Sequence, residues 1–326
     1  MDSMRQNVWL DCDPGHDDAF ALCLAAYHPH VKLLGISTVH GNQNIQKTTQ
    51  NAVNFRHCIG KPDIDIYEGQ PRPLLRPPVQ CPEIHGESGL EGFQFPSPSR
   101  GASDGKAVLK MFEAIDNAEG GTTIVVTGCQ TNVALLMTLF PEIKSKINKI
   151  VFMGGAIGLG NTGPVMEFNI QIDPEAAAIV LQSGVECWMV PLEVTHTALV
   201  TADIITKVEE LSPQFCQMLK GLLLFFADTY RNVFGFSDPP LHDPCAVFCA
   251  VSPEDFVWEM TRVDVETSGV LTAGQTVVDR FNFGKKSSNV HLCTSMDVEK
   301  FWGIMFEALR AADAASPLNE TKNKNS

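Results

Sequence analysis

The chain has 326 residues, a formal net charge of −14 and 44% hydrophobic residues. That is enough to bury one large α/β core, while the acidic balance and the absence of any basic run argue against nucleic acid or an anionic membrane as partner. Ten scattered cysteines form no C-x-x-C pair, and no apolar run approaches 18 residues, so core thiols in a reducing, cytoplasmic setting are expected.

In chain order, the apolar run Val8-Trp9-Leu10 leads into Asp11-Cys12-Asp13-Pro14-Gly15-His16-Asp17-Asp18-Ala19 and then a helix-forming stretch. This reads as a buried strand, a tight turn and a helix start. Two carboxylates about 5 Å apart repel by roughly 3 kcal/mol at an effective dielectric near 20. A helix dipole offsets only ~0.3–1 kcal/mol per charge. Four aspartates round one turn therefore splay into water or gather a cation. All-oxygen ligands suit Ca²⁺ or Mg²⁺.

Beyond the turn, strand-like and helix-like stretches alternate. Residues 32–38 and 63–67 read as strands, with a helix over 45–58 between them. Residues 70–103 form a Pro/Gly/Ser-rich connection long enough to border a site. Helices over 106–115, 133–139 and 173–182 alternate with strands over 122–126, 149–153 and 187–190. Asp173-Pro174-Glu175 has the residues of an N-cap, an N1 proline and an acidic first turn. Residues 201–231 are helical, 256–266, 276–280 and 290–295 resemble a small antiparallel piece, and 298–311 close as an amphipathic helix. The rhythm predicts an α/β fold: a single domain over 1–314, with a mostly parallel sheet flanked by helices and a site at the carboxyl ends of the strands. The polar tail 315–326 is expected to be disordered.

Polar residues recur at the strand ends: Asn42, Thr127, Met153-Gly154-Gly155 leading to Asn161 and Glu167-Phe168-Asn169, and His242-Asp243-Pro244. Singly each has a bland explanation, since Asn favours turns and His-Asp-Pro often starts a helix. Converging on one sheet edge, they make a site for a polyhydroxylated substrate and a hard metal.

The segment Asp11–Ala19 resembles the N-terminal signature of the inosine-uridine preferring nucleoside hydrolases. So do, in order, Gly41-Asn42, Ile84-His85-Gly86-Glu87-Ser88-Gly89, Thr127-Gly128 with Thr131-Asn132, Met153-Gly154-Gly155, Glu167-Phe168-Asn169 with Asp173–Ala177, and His242-Asp243-Pro244. The resemblance runs from about residue 7 to 312. It implies Ca²⁺ held by Asp13, Asp18, the Thr127 carbonyl and Asp243, with Asp13 also the general base. It implies Asp17, Asn42, Asn161, Glu167 and Asn169 on the ribose, Met153 beneath the sugar, Phe168 beside the base, and His85 and Tyr230 contacting the base. His242 is implied as the acid for the leaving group, since an ordinary histidine titrates near neutrality. His16 stands where many members carry a hydrophobic residue and reads as compatible with activity, not as an added catalytic group. None of Trp9, Trp188, Trp258 and Trp302 lies beside His85, which favours uridine or inosine over purine-specific use. A homodimer or homotetramer is implied, acting in nucleoside salvage.

Two rivals fit parts of the pattern. A haloacid-dehalogenase-type phosphatase also ends its first strand in Asp-x-Asp, but has no use for His242-Asp243-Pro244. A nucleoside-binding member without catalysis would keep the same residues.

Overall fold

The computed structural model describes residues 5–324. Nine strands form one sheet: β1 (Gln6–Cys12), β2 (Val31–Thr38), β3 (Ile66–Glu68), β4 (Thr122–Val126), β5 (Ile147–Met153), β6 (Cys187–Val190), β7 (Phe256–Val265), β8 (Thr276–Asp279) and β9 (Val290–Met296). Their order is β3-β2-β1-β4-β5-β6-β9-β7-β8. Neighbours from β3 to β9 run parallel, and β7 pairs antiparallel with both β9 and β8. The antiparallel C-terminal strands thus join the same sheet. Cys187 opposes Val290, and β9 continues the parallel sheet before the hairpin turns back.

The two faces of the sheet carry different helices. On one, His16–Tyr27 packs against Pro244–Val251 and Val298–Ala315, and almost every residue of its first three turns is buried. On the other, Ala107–Asn117, Thr131–Leu139 and Pro174–Leu181 cover Trp9, Ile124, Val126, Ile150 and Phe152. Local signals start several of these helices. The Asp173 side chain accepts from the Ala176 amide with Pro174 at the first position, and Asn44 and Asp297 cap their helices in the same way.

The strand order places the turn after β1 between β2 and β4, where the connections leave in opposite directions and a crevice opens. Residues 70–103 run beside that crevice, with one helical turn at Pro82–His85. They are tied down at intervals. The Gln70 amide donates to Asn132 Oδ1 (3.0 Å), the Leu74 amide to Asp173 Oδ2 (3.0 Å), and Arg76 forms a forked pair with Glu175. Arg56, fully buried, donates to the carbonyls of Ile64, Arg100 and Gly101.

The chain after the last helix is anchored at its start. Ala315 ends the last helix, Ser316 is buried with its hydroxyl on the Cys58 carbonyl (2.6 Å), and Pro317–Lys324 forms a 3₁₀ helix. A polar composition hides such anchoring, because one buried serine and one backbone acceptor suffice. Residues 325–326 lie outside the described residues. No described helix is long and apolar enough to cross a membrane.

Candidate active site

Backbone geometry fixes the acidic turn. Gly15 caps the helix beginning at His16, and its amide donates to Asp18 Oδ2 (3.0 Å). Asp18 Oδ1 accepts from Thr127 Oγ1 (2.7 Å), and Asn42 Nδ2 donates to Asp18 Oδ2 (3.2 Å). Asp13 Oδ2 accepts from the Asn42 amide (2.7 Å). Asp13 Oδ1 is buried and has no hydrogen-bond partner among the described residues. The Asp13 carboxylate is walled by backbone: a Cβ at Gly41 would lie 1.9 Å from Oδ2, and one at Gly128 would lie 2.6 Å from Oδ1.

Carboxylate oxygens of Asp17, Asp18 and Asp243 all lie within 4.8 Å of one another. The sequence reading groups Asp13 with Asp18 and Asp243 and assigns Asp17 to the sugar. In the structure Asp17 shares the cluster, and Asp13 stands beside it. Burial pushes all four up, joined by repulsion from neighbouring carboxylates at three: Asp13 and Asp243 stand well above the usual carboxylate range and Asp17 rises to about 7, while burial alone raises Asp18. An oxygen-only set with a bare buried Oδ1 and more negative charge than it can hold suits a hard cation.

Asp11 points elsewhere. Its carboxylate receives Ser37 Oγ and Asn132 Nδ2 (2.7 Å), and burial raises it to about 7. It joins β1 to β2 and, through Asn132, to the start of the long connection.

The predicted sugar-binding residues meet at the same edge. Asn169 Nδ2 donates to the Thr127 carbonyl (2.9 Å), which keeps a second lone pair. Glu167 caps the short helix Phe168–Gln171. Its oxygens accept from the amides of Gly155 (2.8 Å), Asn169 (2.8 Å) and Ile170 (3.2 Å). Asn161 Oδ1 accepts from the Phe168 amide (3.0 Å). The sequence reading did not foresee these backbone duties. Glu193, accepting from the amides of Ile157 and Gly158, braces the loop that carries Asn161.

At the other wall stands His242, hydrogen-bonded on both nitrogens: Nδ1 to Thr195 Oγ1 and Nε2 to Tyr230 OH, each 2.7 Å. If Thr195 donates to the Leu192 carbonyl (3.4 Å), it accepts Nδ1–H, and Tyr230 donates to Nε2. Burial holds His242 well below the ordinary histidine range, so its resting ring is neutral, contrary to the near-neutral titration assumed from sequence. His85 is likewise depressed by burial.

These groups surround one cavity of about 280 Å³. Asp17, Asn42, His85, Thr127, Met153, Asn161, Glu167, Phe168, Asn169, Tyr230, His242 and Asp243 all line it, while Asp13 and Asp18 lie just behind the wall. Sequence reasoning missed the apolar lining: Phe226, Val233 and Phe234 from the helix Pro213–Phe234, and Val79, Cys81 and Ile84 from the connection. The helical spacing of Phe226, Tyr230, Val233 and Phe234 was the available signal.

Comparison with known proteins agrees. Residues 8–303 match the family model of the inosine-uridine preferring nucleoside hydrolases. A probable ribonucleoside hydrolase of Dictyostelium discoideum is 44% identical over 319 residues, 93% of this chain and 94% of that one. The pyrimidine-specific ribonucleoside hydrolase RihA of Salmonella agona is 40% identical over 308 residues, 94% of this chain and 99% of that one. Among solved structures, the purine-preferring ribonucleoside hydrolase from Gardnerella vaginalis superposes with a TM-score of 0.89 at 28% identity, covering 95% of this chain and all of that one. The chain belongs to the inosine-uridine preferring nucleoside hydrolase family and is a hydrolase.

Proposed function

We propose that the protein hydrolyses the N-glycosidic bond of ribonucleosides, uridine and inosine foremost, to free base and ribose. The observation that carries this is one cavity with a carboxylate cluster on one wall and a doubly hydrogen-bonded histidine on the other. Asp13, Asp18, Asp243 and the Thr127 carbonyl would hold the cation, Ca²⁺ in this reading, with Asp17 between it and the sugar. When bound, the cation supplies charge neutralisation, orientation and polarisation of a water.

The chain's own groups then divide the work. Asp13 Oδ1, without a hydrogen-bond partner among the described residues, takes the proton of the attacking water. That water's oxygen bonds to the anomeric carbon as the C–N bond breaks with oxocarbenium character. The departing base takes the bond's electron pair and a proton from His242, whose neutral resting ring first takes up that proton from solvent and returns to neutral as it gives it away. Burial lowers the basicity of His242, so a proton on this ring passes readily to the base, and the Tyr230 hydroxyl on Nε2 is the cavity-lining group linked to it. Asn42, Asn161, Glu167 and Asn169 bind ribose hydroxyls, and Met153 packs under the ring. Their backbone bonds hold their side chains in place before substrate arrives. His85 and Phe168 border the base, and no tryptophan lines the cavity among the described residues, which supports uridine or inosine.

Ten free thiols, nine of them buried, fit a cytoplasmic salvage enzyme, assembled as a homodimer or homotetramer. The test is a panel of uridine, inosine, adenosine, cytidine and 2′-deoxyuridine with detection of reducing sugar. Ribose from uridine or inosine is expected, with 2′-deoxyuridine poorer by orders of magnitude, because a site built for a hydroxyl leaves buried groups unpaired without it. No sugar from any nucleoside would refute the proposal and leave a binding protein.

A further inference from the structure

Three long polar side chains recur every fourth residue along the helix Ile45–Cys58 and the turn leading into it: Gln43, Lys47 and Asn51. Four residues make about one helical turn, so they stand in a row on one face. They donate, in order, to three consecutive main-chain carbonyls of the long connection. Gln43 Nε2 reaches Gly86 (3.1 Å), Lys47 Nζ reaches Glu87, and Asn51 Nδ2 reaches Ser88 (3.0 Å). This run of carbonyls begins one residue after His85. The connection packs directly on the row: a Cβ at Gly89, whose φ is +81°, would lie 2.8 Å from Gln43 Cγ and 3.0 Å from Asn51 Nδ2.

Asn51 has a second duty that its companions lack. It is buried, and its Nδ2 also donates to the Pro14 carbonyl (3.1 Å), between Asp13 and Gly15 in the acidic turn. A carbonyl only accepts, so the two hydrogens of this amide face Pro14 and Ser88. One side chain outside the cavity thereby joins two segments far apart in sequence. Inside the cavity the same region is linked through side chains. The His16 amide donates to His85 Nδ1 (3.3 Å), and Cys81 Sγ donates to Asn42 Oδ1 (3.3 Å). Asn51 instead grips main chain on both sides.

We infer that Asn51 is a positioning residue that ties the acidic turn at Pro14 to the connection at Ser88, so that the carboxylate cluster and His85 keep one relative placement. For catalysis the inference rests on the hydrolase reading, in which His85 borders the base. Removing the Asn51 amide takes a donor from the turn and from the connection together. Removing the Gln43 amide takes one from the connection and leaves the turn untouched. Each lost bond shifts the local opening equilibrium by about fivefold. Order imposed on the turn, as by a bound cation, passes through the same amide to the connection, and the coupling is reciprocal.

The test is hydrogen exchange read by mass spectrometry on chelator-treated protein, and on the same protein with Ca²⁺ added. Without cation, Asn51→Leu should exchange about fivefold faster in peptides covering both 11–18 and 86–91, and Gln43→Met in the second alone. Ca²⁺ should slow both segments in the unaltered protein and in Gln43→Met. In Asn51→Leu the slowing at 86–91 should shrink while that at 11–18 remains, and kcat/KM on uridine should fall about tenfold. Unchanged exchange at 11–18 in Asn51→Leu overturns the inference, as does an undiminished Ca²⁺ effect at 86–91 or an undiminished kcat/KM. Should Asn51→Leu not fold, Asn51→Ser carries the same comparisons. If Ca²⁺ slows neither segment of the unaltered protein, the cation assignment fails and the chelator-treated comparison still decides. Exchange is read without substrate, so a protein that cleaves no nucleoside counts against the hydrolase reading alone.

Discussion

Titrating Ca²⁺ into chelator-treated protein at pH 7 should release protons. Carboxylate oxygens of Asp17, Asp18 and Asp243 lie within 4.8 Å of one another. At that separation and an effective dielectric near 20, each ionised pair repels by about 3.5 kcal/mol. Three ionised carboxylates would accumulate about 10 kcal/mol, comparable with the whole stability of a folded domain. The cation-free cluster therefore retains protons, in keeping with the upward displacement of Asp13 and Asp243 and of Asp17 to about 7. Ligation requires ionised carboxylates, so binding must expel them. The expected release is about one to two protons per ion. Calorimetry in two buffers of different ionisation enthalpy reads this number from the difference in heats. Identical heats at pH 7 would refute the reasoning.

The same displacement has a sign in stability. A carboxyl raised by folding stabilises below its unfolded value, near 4, and that contribution is lost as pH climbs through the folded value. A histidine lowered by folding, such as His16 at about 4, destabilises below about 6.5 and is neutral in effect above it. Above pH 7 the carboxylates alone set the slope among these groups. In chelator, Tm should fall from pH 7 to pH 8, and added Ca²⁺ should flatten the fall.

Three further outcomes are expected. Asp13→Asn, which keeps an acceptor for the Asn42 amide but removes the base, should lower kcat on uridine by about 10²–10⁴ with Tm unchanged or raised. A near-normal kcat would remove Asp13 from that role. His242→Ala should slow inosine far more than p-nitrophenyl riboside, whose leaving group hardly needs a proton, and parallel losses on both would end its assignment as acid. Arg56→Met should destabilise by about 3 kcal/mol in denaturant, because the hydrogen bonds of the buried guanidinium to the Ile64 and Gly101 carbonyls are lost, and proteolytic nicking should start near residue 100.

Much of the site was legible because charge packed behind an apolar strand admits few physical solutions. The acids of the first turn, His242-Asp243 and the strand-end amides all arrive at one crevice. What stayed hidden depends on distant chain segments. The parallel pairing of β9 with β6 leaves no mark in local alternation, so residues 290–295 read only as part of the small antiparallel piece. Asp11 stood apart from the other three aspartates without a role of its own, since its partners Ser37 and Asn132 lie far along the chain. His242 had an ordinary titration in prospect until burial was known. His16 read as a tolerated replacement because its partners, His85 and Glu91, lie about 70 residues on.

The glycines beside Asp13 have an evolutionary consequence. The backbone at Gly41 and Gly128 passes so close to its carboxylate that a Cβ at either would overlap an oxygen. The same tightness makes the enzyme brittle at positions with no functional side chain at all. A saturation screen for activity should find Gly41 and Gly128 as intolerant as the aspartates, and alanine there should inactivate by displacing a carboxylate it does not chemically alter.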